Sequence, residues 1–188
     1  MYNFDKTFLK ALGKALVPRY KCLEHVYHSP KTGKFIATDA HHLLMYQAFE
    51  PPLNSWYNRK GEPVTLKGET PDIDGMVERI TKDCTTPVSL SDTHNCGEYL
   101  VYHNKVYPIK QIETIEEFMG SDAYDIKCSE SSVLMPLYYH TKDGLKEAFV
   151  MPLDISWVAK VGDAEFNDWN EAEAFATVMG LTIEIERK

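Results

Sequence analysis

Two short motifs pair a carboxylate with an imidazole at Asp-x-His spacing. They are Asp39-x-His41 and Asp92-x-His94, the latter inside Ser91-Asp92-Thr93-His94-Asn95. At a strand end such a pair can ligate a catalytic metal, and two metals held together turn water into a hydroxide nucleophile for phosphoester cleavage. The remaining donors are few. Gly162-Asp163 and Asp168 offer further carboxylate oxygens. Cys96 lies near His94, yet sequence neighbours rarely make a catalytic dyad, and neither a Gly-rich phosphate loop nor a Gly-x-Ser-x-Gly elbow occurs. A different chemistry, contact with phosphate, is offered by Lys6, Lys10 and Lys14, which recur at intervals of four. The expectation is a chain without catalysis, cofactor or bound metal.

Periodicity gives the elements that must position these residues. Phe4, Phe8, Leu12 and Leu16 also recur at intervals of four, widened by Leu9, Ala11 and Ala15, which predicts an amphipathic helix over 5–16. The three lysines fall on its opposite side, and Pro18 ends it. Strands are expected at 22–28, 34–40 and 42–49, the first two joined by Ser29-Pro30-Lys31-Thr32-Gly33. A loop-rich stretch from Glu50 to Gly97 holds short strands at 64–67 and 87–90 and a short helix over 71–80. A hairpin at 99–103 and 106–109 turns about Asn104-Lys105. Ile112, Ile115 and Met119 share one face of a helix over 109–119, with Gly120 at its left-handed C-cap. Strands at 124–128, 133–140 and 146–153 follow, the last two joined through Thr141-Lys142-Asp143-Gly144. In the tail a strand is expected at 157–161, and Asp168-x-x-Glu171 opens a helix through Met179 that Gly180 stops. Leu181, Ile183 and Ile185 then alternate as a half-buried strand.

The composition suits one folded domain of this kind. The chain has 188 residues, 44% apolar and 26% charged, with net charge −8, which excludes collagen-like, coiled-coil and low-complexity classes. A uniformly basic nucleic-acid binder is excluded as well, so DNA contact requires a local patch. Asp5 to Lys21 supplies one, with five bases against one acid, whereas Asp154 to Lys188 carries eight acids against three bases. No run of about 18 apolar residues is present to span a membrane. The N-terminus lacks the apolar centre of a secretory signal. The cysteines Cys22, Cys84, Cys96 and Cys128 show no C-x-x-C pairing, so reduced thiols in a cytoplasmic protein are expected.

The order helix, three strands, insertion, hairpin, helix, three strands is one helix-plus-antiparallel-sheet unit met twice. On that frame three segments resemble the bacterial sliding clamp, the ring-shaped processivity subunit of the replicative DNA polymerase. The first is Phe8-Leu9-x-x-Leu12 opening a helix, followed by Lys34 to Leu43. Within it Ala37-Thr38-Asp39-Ala40-His41-His42-Leu43 is similar to the family's Ala-Thr-Asp-Gly-His-Arg-Leu. The second, Phe149-Val150-Met151-Pro152-Leu153, resembles a closing strand that ends in Val-Met-Pro and a hydrophobe. The third is Gly68-Glu69-Thr70-Pro71-Asp72, similar to Gly-x-Phe-Pro-Asp-Tyr. A competing likeness is to the metallophosphoesterases, whose opening motif Ser91 to Asn95 resembles. Gly162-Asp163-x-x-x-x-Asp168 is a poor version of that family's Gly-Asp-x-x-Asp, and its Gly-Asn-His does not follow.

The clamp resemblance covers residues 4–155 and implies an α+β fold: a DNA-clamp-like domain over 1–155, made of two pseudo-repeated halves. The acidic strand–helix–strand extension at 156–188 would pack on it. The implied function is a non-catalytic accessory factor in DNA replication or repair, of the kind a mobile element encodes. Double-stranded DNA would meet Lys6, Lys10 and Lys14. The second helix departs from this, since Lys110 is accompanied outward by Glu113 and Glu117, with Glu116 at the border. The resemblance also implies an apolar pocket for short Gln/Leu/Phe-type peptides of a polymerase or other partners. It assigns that pocket to Thr38, Ala40, His41, His42, Leu43, Phe149, Met151, Pro152 and Leu153. His42 stands where the family has Arg and alters a polar rim contact. The chain has room for one such domain, so only a homo-oligomer could encircle DNA. The alternatives are a monomeric clamp-fold interaction module without DNA binding, and a metal-dependent phosphoesterase using the Asp-x-His motifs. For the tail, one reading has it compete for the lysine ridge. The other, which the clean alternation favours, adds a strand to the sheet edge.

Overall fold

The computed structural model describes residues 1–13, 22–49, 52, 54–67, 70–129, 135–153 and 157–187. In chain order the elements are α1 (Lys6–Lys10), β1 (Val26–His28), β2 (Lys34–Thr38), β3 (His42–Gln47), β4 (Trp56–Tyr57), α2 (Ile73–Asp83) and β5 (Thr86–Pro87). There follow β6 (His94–Cys96), β7 (Tyr99–Tyr102), β8 (Lys105–Pro108), α3 (Ile109–Met119), β9 (Tyr124–Cys128), β10 (Leu137–Thr141) and β11 (Lys146–Val150). The last are β12 (Trp157–Val161), β13 (Ala164–Phe166), α4 (Trp169–Met179) and β14 (Glu184–Arg187). The chain is thus α+β, and its strand pairings are antiparallel. Among the described residues no helix is long and apolar enough to cross a membrane.

One compact unit comprises residues 1–87 and 113–151. Its eight-stranded sheet runs β4-β1-β2-β3-β11-β10-β9-β5. The order is a palindrome in chain terms. α1 precedes the meander β1-β2-β3, α3 precedes the meander β9-β10-β11, and the two meanders meet where β3 pairs with β11. Successive strand residues point to opposite faces, and both faces are covered, which is why β2 reads Phe35, Ile36, Ala37 and Thr38 all buried. On one face Phe8 of α1 meets Tyr46 (centroids 4.8 Å) and Phe118 of α3 (6.0 Å), and Phe4 meets Phe35 edge-on. On the other, Ile36, Leu43, Met45, Tyr138 and Phe149 pack beneath Ile73 and Val77 of α2.

Both helices of the pair end on a borrowed cation. The Arg59 guanidinium donates to the carbonyls of Leu9 and Leu12, and the Lys146 ammonium donates to those of Phe118 and Met119. The Leu9 and Met119 carbonyls also accept the amides of Leu12 and Asp122, so each cation adds bonds at a helix end and opposes its negative pole. Gly61 adopts φ +77° where a side chain would collide with the backbone of Tyr2, whose amide bonds Gly61's carbonyl.

The second compact unit comprises residues 88–112 and 152–188. It holds two three-stranded sheets, β6-β7-β8 and β13-β12-β14. Ile183 and Ile185 pack with Val101, Val106 and Trp169, while α4 lays Ala172 and Ala176 on Ala159 and Val161. Asp168 caps α4 by accepting the Glu171 amide, and Gly180 closes it at φ +65°, as the capping pattern predicts.

Several expectations change. α1 stops at Lys10 rather than running to 16: Ala11 is its C-cap and the Gly13 amide is taken by the Thr38 carbonyl. The tail strand β14 does not extend the eight-stranded sheet but pairs with β12. By compactness residues 88–112 group with residues 152–188. The 99–109 hairpin turns at His103-Asn104, both with positive φ, rather than at Asn104-Lys105.

Glu147 lies at the junction of the meanders, 16% exposed, accepting from Lys34 Nζ at 2.8 Å and from the Tyr138 hydroxyl at 2.7 Å. Glu147→Ala removes the only charge partner that a nearly buried ammonium has among the described residues, leaving it the Gly144 carbonyl, and should cost about 2–4 kcal/mol in urea unfolding. Glu78→Ala, which removes an ion pair exposed on both sides, should cost under about 0.5 kcal/mol. Equal losses would show that the junction does not rely on this network.

Candidate interaction surfaces

The nominated pocket residues converge in part. Thr38, Ala40, His41, His42, Leu43, Phe149 and Met151 line one crease at the end of β2, β3 and β11, joined there by the Met151 amide donating to the His41 carbonyl at 2.8 Å. Pro152 and Leu153 do not line it; they belong to the second unit, where the Leu153 amide bonds the Val106 carbonyl. The crease offers room of only about 20 Å³, and Met76 and Ile80 of α2 line it as well. These two were not nominated. Their spacing with Ile73 and Val77 marks an apolar helix face, but which surface that face covers is decided by the tertiary fold.

The turn at the crease is built around Asp39. Its Oδ1 accepts the amides of His41 and His42, each at 2.8 Å, and the Thr38 hydroxyl accepts the Ala40 amide. Nδ1 of His42 lies 2.9 Å from Asp39 Oδ1, close but off the line of an ideal hydrogen bond. Burial alone would raise the Asp39 carboxyl, yet the His42 ring and the two amides outweigh it and hold the group below the usual carboxylate range. Ala40 is forced to φ +76°, a left-handed conformation that disfavours a β-carbon.

The lysine ridge is altered by its neighbour. Lys6 is exposed, but Lys10 Nζ bonds Glu117 Oε2 at 2.6 Å, and the Thr7 hydroxyl donates to the same carboxylate. The Lys10 ammonium and the Thr7 hydroxyl hold Glu117 below the ordinary range. Lys14 lies outside the described residues. A cleft of about 570 Å³ beside α1 and α3 carries the carboxylates of Asp5, Glu117, Asp122 and Asp143 with the ammonium of Lys146. No local pattern marks the Lys10–Glu117 pair, since its partners are 107 residues apart.

The two Asp-x-His motifs have structural employment. Asp39 organises the β2–β3 turn. His94 packs against Trp169 with the rings tilted by 32° and their centroids 4.9 Å apart, and its Nδ1 lies 3.3 Å from Glu173. Asp168 accepts from the Asn104 amide and from the backbone of Glu171. Among the described residues no three His, Cys, Asp or Glu side chains converge on a metal-sized site.

Ala40→Gly should stabilise the protein by about 0.5–1 kcal/mol, the relief of left-handed strain less the extra entropy of glycine in the unfolded chain. A thermal or urea melt checks the sign; destabilisation would mean that the β-carbon's packing in the crease outweighs the strain. No family model matches this chain, and neither curated proteins nor solved structures give a significant match.

Proposed function

We propose that this chain is a non-catalytic, sliding-clamp-like accessory factor of DNA replication or repair. It engages partner peptides at the crease around Leu43 and Phe149 and touches double-stranded DNA through α1. The observation that carries the reading is the palindromic unit: a helix and a three-strand meander, repeated and joined across β3 and β11, with α1 and α3 side by side on one face. Two details add support. The clamp-like Ala-Thr-Asp segment makes the β2–β3 turn and puts Ala40 in a left-handed conformation at the position where the family has glycine. Residues nominated from two distant segments, 38–43 and 149–151, share one crease.

A second reading, an interaction module that leaves DNA alone, is favoured by the Lys10–Glu117 pair and the carboxylates beside it. Phosphates approaching that face meet like charge, and a lysine already paired releases less counterion on binding.

Electrophoretic mobility and column retention on closed circular and linearised duplexes, at about 50 and 200 mM salt, separate the two. A clamp-like factor should bind at low salt, lose affinity steeply as salt rises, and bind several-fold more tightly after Glu117→Gln frees Lys10. Light scattering should then show an oligomer, and linearisation should release it. A monomer at high concentration with no retention in either protein sinks the DNA-embracing reading and leaves the interaction module.

A further inference from the structure

The second Asp-x-His motif lines a cavity of about 430 Å³ that lies wholly within the second compact unit. Three segments build it: the stretch carrying Asp92 and His94, the β7–β8 turn at Asn104, and the first turn of α4. The turn is locked to the helix through one side chain. Asn104, at φ +60°, donates from its amide nitrogen to Asp168 and accepts the backbone amide of Trp169 at 2.8 Å. Asp168 takes the Glu171 amide as well, so the helix start already has partners from the protein for these donors. The cavity is therefore not an anion site of the helix-terminus kind.

Its walls carry both kinds of hydrogen-bonding group. His94 packs against Trp169, and Glu173 lies 3.3 Å from its Nδ1. A hydrogen on Nδ1 suits that carboxylate, which makes Nε2 the accepting nitrogen. Asp92 receives one bond, from the Ser91 hydroxyl, and keeps lone pairs for another partner. On the donor side are the Asn170 amide and Trp169, which also line the space. Trp169 is 5% exposed, and its indole N–H has no acceptor among the described residues; buried indoles usually have one.

Pockets for drug-like ligands of this volume are lined mainly by hydrophobic side chains, and this one is not. An anion entering it meets like charge from Asp92 and Glu173. A cation satisfies the carboxylates but offers nothing to the N–H groups. A hydroxyl group serves both, because it donates and accepts at once. We propose that this cavity binds a neutral polyhydroxylated molecule the size of one pyranose sugar. Its hydroxyls donate to Asp92, Glu173 and His94 Nε2. Side-chain adjustments of the kind that accompany binding bring one of its oxygens to the Trp169 N–H.

The test is nitrogen-15 NMR of the full chain, titrated to about 50 mM with the methyl glycosides of glucose, galactose and mannose, and in parallel with putrescine and phosphate. A ligand of about 13 heavy atoms should bind with Kd of roughly 1–10 mM. The expected result is that at least one glycoside shifts amides of 91–94, 103–104 and 169–173. It should also move the indole resonance of Trp169, identified by its loss in Trp169→Phe. Asp92→Ala and Glu173→Gln, each melting as the parent does, should weaken binding about tenfold. Asp163→Ala, an exposed carboxylate outside the cavity, should leave it unchanged. No shift with any of the three glycosides overturns the proposal, and so does equal binding by the Asp92→Ala and Glu173→Gln proteins. Larger shifts of these amides by putrescine or phosphate overturn it in favour of a charged ligand. A still indole resonance beside shifting amides overturns the Trp169 contact.

Discussion

The pairing of β3 with β11 is the constraint on which the first unit depends. Five residue pairs, from Lys146 with Tyr46 to Val150 with His42, join strands that lie about a hundred positions apart in the chain. The ladder carries charge across the seam as well. Lys34 reaches from β2 over β3 to Glu147 and to the Gly144 carbonyl, and Glu147 in turn receives the Tyr138 hydroxyl from β10. A one-residue slip would send Leu43, Met45 and Phe149 to the face now occupied by Leu44, Ala148 and Val150. It would also part Lys34 from Glu147. Register, core and ion pair therefore specify each other.

Much of this was legible along the chain. The apolar face of Ile112, Ile115 and Met119 placed α3, the Asp168-x-x-Glu171 capping pattern placed α4, a glycine stops each at its observed end, and turn residues placed the hairpins of both meanders. What escaped was decided by distant partners. α1 ends early because the Thr38 carbonyl and Arg59 take up its last polar groups, an event no local pattern announces. β13 was missed because Ala164-Glu165-Phe166 is too short to show alternation. Of the alternating residues only Ile185 lies in β14, while Leu181 and Ile183 precede it and Leu181 is exposed; nor does alternation, which defines a buried face, say which neighbour pairs with the strand. The candidate crease was legible from two segments at once; its occupation by Met76 and Ile80 was not.

Charge follows the same division. Lysine spacing on a helix says which side faces out, but whether that side is positive depends on what stands beside it. Glu117 on α3 neutralises Lys10, so the pair of helices presents a mixed surface where a list of basic residues suggests a cationic one. Its consequence is that any phosphate contact on this face draws on Lys6 more than on Lys10.

The ends of the eight-stranded sheet set a limit on assembly. Both outermost strands, β4 and β5, are two residues long, and β5 contains Pro87, which has no amide to donate. Such margins offer almost no template for another chain's backbone. Through these margins two copies would have little main chain to share, so contact between their large sheets would rest on side chains rather than on ladders. That makes it open to tuning, or abolition, by single substitutions.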